Sequence, residues 1–384
     1  MTDYQRYFGE TQNLVRESVR TFVAREISPN VERWEEAGEL PRDLYQKAGD
    51  AGILGIGYPE QYGGTGFDMF SKIAASEEIM AAGSGGVAAS LGSIDIGLPP
   101  VVKWGSDALK ARICPDVIAG RKIQCLALTE PGGGSDVAGI RTTAVRDGDH
   151  YVVNGAKTFI TGGMQADLVV VVARTSTDPD NRRRGLTLLV VEEGMDGFTR
   201  GRELEKMGCK VQDTAELSFV DVRVPAANVL GQVDEAFGYL GHNLPQERLT
   251  VAVGSVAQAR SAIAAAIDYT QNRKVFGASV SSFQNTKFEL AACSTEVEAA
   301  QAMLDRAVAL HVEGELSGPD AARVKLFCTE MQQRVVDRCL QLFGGYGYMM
   351  EYPIARLYTD ARVARIYAGT SEVMKVIIAK SLGL

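Results

Sequence analysis

Between about residues 122 and 232 the chain alternates apolar and polar side chains with a period of two, and nothing of helical length interrupts it. "DHYVVNGAKTFITGG", "ADLVVVVAR", "GLTLLVVEE" and "AELSFVDVRVP" all read as strands. Strands joined without crossover helices pair mostly antiparallel, so this region predicts a barrel- or sandwich-like sheet. A nucleotide-binding fold of alternating strands and helices is excluded on the same ground. Asn154-Gly155, set between two β-rich runs, predicts a hairpin turn.

On either side the period is helical. "TQNLVRESVRTFVAREI" places Leu14, Val15, Val19, Phe22 and Val23 on one stripe. Pro41 stands near the first turn of another helix that runs toward Gly52, and Ser106 is the N-cap of a third. Beyond about residue 234 the helices are long and rich in Ala and Leu, as bundle helices are. In the first of them Leu249, Val253, Val256, Ile263 and Ile267 follow a three-four spacing. The predicted class is α+β: an N-terminal α-helical domain (1–121), a central antiparallel β-domain (122–232) and a C-terminal helical bundle (233–384).

A net charge of -8 argues against nucleic acid as the main partner. The one basic run, Arg182-Arg183-Arg184, reads as a solvated turn. Six scattered cysteines without a C-x-x-C pair, and three histidines without ligand spacing, predict no disulfide framework and no metal site. Free thiols, a start "MTDYQRYFGETQNLVRESVR" of mixed charge, and no apolar run of membrane-spanning length together predict a cytoplasmic protein.

Several stretches could carry chemistry. "CLALTEPGGGSDVAG" follows a strand with three consecutive glycines, which expose backbone amides, yet it is neither a dinucleotide fingerprint nor a P-loop. Phe159 and Thr161 lie two apart and so on one strand face, where they could pack on and hydrogen-bond a planar ring. Arg273 and Lys274 end a long helix, where they either offset its dipole or reach a phosphate. "AGTSE" stops a helix at Gly369 and starts another with Thr370 or Ser371 as cap; free amides at such a start suit an anion or a carbonyl oxygen. Glu247 and Arg248 stand side by side at the head of an apolar helix, where charge costs free energy unless compensated. They are a surface cap, a buried ion pair or part of an active site.

"YPEQYGGTG", "LTEPGGGSD", "KTFITGG", "LPQERL", "NRKVFG", "FGGYGYMMEYP" and "IYAGTSEV", in this order, resemble the acyl-CoA dehydrogenase family over essentially the whole chain. The resemblance implies a four-helix C-terminal bundle, noncovalent FAD and a homotetramer, a dimer of dimers. It implies α,β-dehydrogenation of an acyl-CoA thioester to the trans-2-enoyl-CoA, with electrons passing to electron-transfer flavoprotein. An acyl-CoA oxidase and a non-catalytic acyl- or FAD-binding member are the alternatives.

By resemblance, Leu126, Leu128, Thr129, Gly134 and Ser135 belong to the flavin's first β-loop. Phe159, where many relatives have Trp, packs on the flavin ring, with Ile160 and Thr161 beside it. Arg273, Phe276 and Gln284 meet the FAD of a neighbouring subunit, and Gln341 and Gly345 its adenine end. Thr370 and Glu372 match further flavin positions, while Ser135, Arg248 and Gly369 fall on the substrate side. Many members carry the catalytic glutamate between Tyr and Gly-Thr in the last turn, where this chain has Ala368. The long-chain and isovaleryl branches take their base from the L-x-x-E-R helix instead, which implies Glu247.

Overall fold

The computed structural model describes residues 8–384; the first part of the N-terminal stretch quoted above lies outside the described residues. Seven helices come first: α1 (Glu10–Phe22), α2 (Val31–Ala37), α3 (Asp43–Asp50), α4 (Met69–Met80), α5 (Gly85–Gly92), α6 (Ile94–Trp104) and α7 (Asp107–Ile118). Val15, Val19, Phe22 and Val23 are buried as the stripe requires, whereas Leu14 is 59% exposed. Adjacent helical positions diverge by ~100°, and the contact with α4 follows Val15. Arg16 and Arg20 seal that contact through Glu77 and Glu78. The Ser106 hydroxyl accepts the Leu109 amide and caps α7.

The sheet comprises β1 (Gln124–Ala127), β2 (Thr143–Asp147), β3 (His150–Thr161), β4 (Leu168–Arg174), β5 (Leu186–Glu192), β6 (Phe198–Glu203), β7 (Thr214–Pro225) and β8 (Val229–Leu230). Its order is β6-β7-β3-β2-β4-β5-β8, with β1 added to β4 in parallel. The other long pairings are antiparallel, as predicted. In β4, Leu168, Val170 and Val172 face the helices, while Val169, Val171 and Ala173 join Tyr151, Val153 and Phe219 in a second core. Being covered on both faces explains why β4 reads as one unbroken apolar run.

Asn154-Gly155 is not a hairpin turn. Strand β3 runs straight through it, and the chain reverses instead around Gly148 (φ 60°), between Asp147 and His150. The dipeptide forms a β-bulge against β7. A side chain at Gly155 would put its Cβ 2.5 Å from Thr142 Oγ1, so the residue answers a close approach rather than a reversal.

The bundle holds α8 (Ala236–Asn272), α9 (Gln284–Val312), α10 (Gly318–Gln341), α11 (Pro353–Ala361) and α12 (Ser371–Ser381). A small hairpin, β9 (Lys274–Val275) and β10 (Ala278–Ser279), links α8 to α9. Helix α8 starts well before Pro245, which lies inside it, so Glu247 and Arg248 are interior residues and not a helix head. Leu249, Val253 and Val256 are buried, Ile263 is half-buried, and Ile267 is 40% exposed on the outer face. Two stretches, Gly85–Trp104 and Ala236–Asn272, are after all long and apolar enough to cross a bilayer; half or more of each is buried against other elements, as in core helices.

Candidate active site

A cavity of about 280 Å³ opens where the two helical regions meet the sheet. Helix α8 supplies one wall through Glu247, Thr250, Val251, Gly254, Ser255 and Gln258. These positions recur every three to four residues, so they form one stripe of three turns. Opposite stand Ile79 and Met80 of α4 and Ala88 and Ala89 of α5. The sheet contributes Leu126, Phe159 and Thr161, and the last glycine turn contributes Tyr367 and Ala368.

Glu247 is 9% exposed and makes no side-chain hydrogen bond or ion pair among the described residues. Burial pushes its carboxyl up to about 7, against the pull of the Arg248 charge. Arg248 is equally buried but does not line the cavity, and its Nε has no partner. Burial pushes that guanidinium down, with Glu247 opposing. The two side chains leave α8 ~100° apart and do not pair. The arrangement is thus neither a surface cap nor a closed ion pair. It leaves a carboxyl with free lone pairs on the wall of an apolar chamber.

Four buried side chains brace the segments around the cavity, and each escaped the sequence reading. Lys157, fully buried in β3, donates to the Leu128 carbonyl (3.0 Å) and to Glu130 (2.9 Å). Glu130 also accepts the Arg141 and Thr142 amides (2.7 and 2.8 Å), fastening the glycine-rich loop behind Phe159. Lys325, fully buried in α10, donates to the Gly369 carbonyl at 2.8 Å. Asp360 of α11 accepts the Gly85 amide (2.9 Å) and the Cys209 amide (2.5 Å). Gly208 permits that last approach, because a Cβ there would lie 2.5 Å from the Thr359 carbonyl.

The sequence-predicted residues separate into two groups. Leu126, Phe159, Thr161 and Glu247 face the cavity together with Ala368. Leu128, Thr129, Gly134 and Ser135 do not line it; they lie on the loop after β1, whose Leu128 carbonyl is held by Lys157. Phe159 is 67% exposed at φ 59°, a backbone form uncommon for an aromatic residue. Ile160 packs into the second core, which leaves only its backbone near the site. Thr370 caps α12 by accepting the Val373 amide, with exposed Glu372 in the first turn. The Gly369 N–H has no acceptor among the described residues.

Arg273, Phe276, Gln284, Gln341 and Gly345 gather elsewhere, on exposed surface at the far end of the bundle. Arg273 lies over the Tyr346 ring at 5.2 Å, and Phe276 is 97% exposed. Arg273 is twenty-six residues beyond Glu247, which at ~1.5 Å per residue puts them ~39 Å apart along α8. One chain does not bring the two groups to a single ligand.

Three family profiles tile the chain: "Acyl-CoA dehydrogenase, N-terminal domain" over residues 9–121, "middle domain" over 125–222 and "C-terminal domain" over 237–383. The chain is 42% identical over 378 residues to the long-chain specific acyl-CoA dehydrogenase, mitochondrial, of Sus scrofa, covering 98% of this chain and 88% of that one. The crystal structure of an acyl-CoA dehydrogenase from Geobacillus kaustophilus superposes with a TM-score of 0.94 at 42% identity, over 99% and 100% of the two chains. A glutaryl-CoA dehydrogenase from Mycobacterium smegmatis in complex with FADH2 gives 0.92 at 29% identity, over 99% and 96%.

Proposed function

The chain belongs to the acyl-CoA dehydrogenase family of FAD-dependent oxidoreductases, and on that footing we propose that it dehydrogenates an acyl-CoA thioester between Cα and Cβ with Glu247 as the base. The residues fit the cofactor. An exposed aromatic ring, Phe159, stands beside Leu126 and Thr161 in a concave site, where a planar ring system would cover it. FAD, once bound, supplies the two-electron acceptor.

What the chain itself contributes is proton transfer, orientation and exclusion of water. A thioester α-proton is weakly acidic, so its removal needs a base matched to neutral pH and a polarised carbonyl. A Glu247 carboxyl with a pKa of about 7 is such a base. The free Gly369 N–H is the donor for the thioester oxygen, in a turn that Lys325 anchors through the Gly369 carbonyl. A donor of this kind lowers a barrier by ~3 kcal/mol. Ala368 lines the chamber with a methyl group and leaves Glu247 as the acid there with no partner.

The observation that carries this reading is Glu247 itself: buried, unpaired, raised in pKa and on the cavity wall. Glu247→Gln keeps the size and removes the base. The variant should fold and hold FAD, read as its visible absorbance, yet be reduced by acyl-CoA about 10³-fold more slowly in anaerobic stopped flow. Undiminished reduction would overturn the assignment. We infer electron-transfer flavoprotein as the acceptor, because that is the family's usual one. The distant group of Arg273, Phe276, Gln284, Gln341 and Gly345 would serve the FAD of a second copy in a homotetramer. Arg273→Ala should then lower FAD retention without slowing reduction of the cofactor that stays bound, and light scattering should report an assembly rather than a single chain.

A further inference from the structure

The stripe of α8 that begins at Glu247 ends at Gln258. They are eleven residues apart, ~16 Å along the axis at ~1.5 Å per residue. Gln258 is 2% exposed and so is Gln332 of α10, which meets it across the bundle. Both line the cavity. The Gln332 amide donates to the Gln258 carbonyl oxygen, and this bond uses one polar atom of each side chain. The other two, Gln258 Nε2 and Gln332 Oε1, have no partner. A donor and an acceptor of one hydrogen-bonded pair therefore stand unsatisfied on the cavity wall, ~16 Å from Glu247 along α8.

A methylene chain answers neither atom, and leaving buried polar groups unmet is costly. A carbonyl oxygen would answer only the donor. A hydroxyl answers both, since its oxygen accepts from Nε2 and its hydrogen goes to Oε1. Resting on the acyl-CoA reading above, we infer that the site selects long acyl thioesters carrying a hydroxyl group on the distal part of the chain. An extended chain advances ~1.2 Å per bond. With Cα held at Glu247, ~16 Å reaches carbons ~12 to ~16.

The test compares hexadecanoyl-CoA with its counterparts hydroxylated at carbon ~12, ~14 or ~16, the span given by the helix rise. Flavin reduction is followed anaerobically in the FAD-loaded protein. At one of these positions the hydroxylated thioester should have a kcat/KM about ten-fold above the plain one. In Gln258→Leu and in Gln332→Met the ratio of the two should fall to within about two-fold, in protein that still carries FAD. Equal rates for plain and hydroxylated chains in the native protein would overturn the inference, as would a preference that survives both substitutions. If no acyl-CoA of any kind reduces the flavin, the underlying acyl-CoA reading fails instead.

Discussion

Two glutamates in this molecule are almost equally buried and behave in opposite ways. Glu130 is 8% exposed and Glu247 is 9% exposed. Burial pushes both carboxyls up, and at Glu130 contacts from Thr142, the Arg141 amide and Lys157 outweigh it, so that carboxyl lies below its ordinary value. At Glu247 only the neighbouring Arg248 charge opposes burial, and the value settles at about 7. Inaccessibility alone does not decide whether a carboxyl is a structural anion or a base. The donors aimed at it and the depth of its surroundings decide together.

The comparison is sharpest in its largest expected effect. Glu247→Gln should cost about 10³ in flavin reduction, with no loss of thermal stability. Glu130→Gln should do the reverse, destabilising the protein while the pKa of the base stays where it is. Moving the carboxyl gives a positive control. Glu247→Gln combined with Ala368→Glu should recover part of the lost rate, because position 368 lines the same chamber. No recovery, in a double variant that binds FAD, would mean that the chamber accepts a base from one wall only.

The pH dependence separates the two carboxyls next. The folded Glu247 carboxyl binds its proton more tightly than the unfolded one between the ordinary glutamate value of 4.5 and about 7. Its contribution to stability is therefore full below the lower value and is lost as pH rises to the higher, by up to ~3 kcal/mol. Asp360 and Asp213, raised to about 6 chiefly by burial, act in the same direction. Over the same interval kcat/KM should climb about ten-fold per pH unit and level off above neutrality. Denaturant melts and initial rates across this range test both limbs: Glu247→Gln should flatten the rate profile and make the stability slope shallower, leaving the share of Asp360 and Asp213. Glu130 has the opposite sign: its share of stability is present above the ordinary glutamate value and is lost on acidification.

Breaking the pair at Glu130 from its other side comes third. Lys157→Met removes the cation from a fully buried ion pair, and should cost about 3 kcal/mol in a urea melt while weakening FAD retention. A loss below ~1 kcal/mol would show that the amides of Arg141 and Thr142 suffice alone. The smallest effect is expected far from both sites. Ser106→Ala removes only the α7 cap, ~1 kcal/mol, with no change in rate.

The layout of helices, sheet and helices was legible from periodicity, because each region's apolar spacing agrees with the surface it buries. The errors have physical causes. Asn154-Gly155 carries the local chemistry of a reversal, but β3 pairs on both sides through it, and tertiary pairing overrode the local preference. The apolar run after Arg248 made Glu247 and Arg248 read as a helix head, yet α8 begins at Ala236 and carries Pro245 inside it. Of the site, the cavity-facing Leu126, Phe159, Thr161 and Glu247 were legible through resemblance to a family, whereas Lys157, Glu130, Lys325 and Asp360 were not noticed. One signal existed for Lys325. It lies on the apolar stripe of α10, among Ala321, Ala322, Cys328 and Thr329, where a lysine needs a buried acceptor. Gln258 and Gln332 carry no such mark, since single amides in a helix say nothing about which partner they will meet.

Asp360 binds an amide at the start of α5 and another in the loop before β7, from its own seat in α11. One carboxyl group therefore rivets together three segments far apart in sequence. Swinging the N-terminal helices away from the bundle would break the Gly85 bond, and lifting the sheet away from it would break the Cys209 bond, so this carboxyl resists both motions.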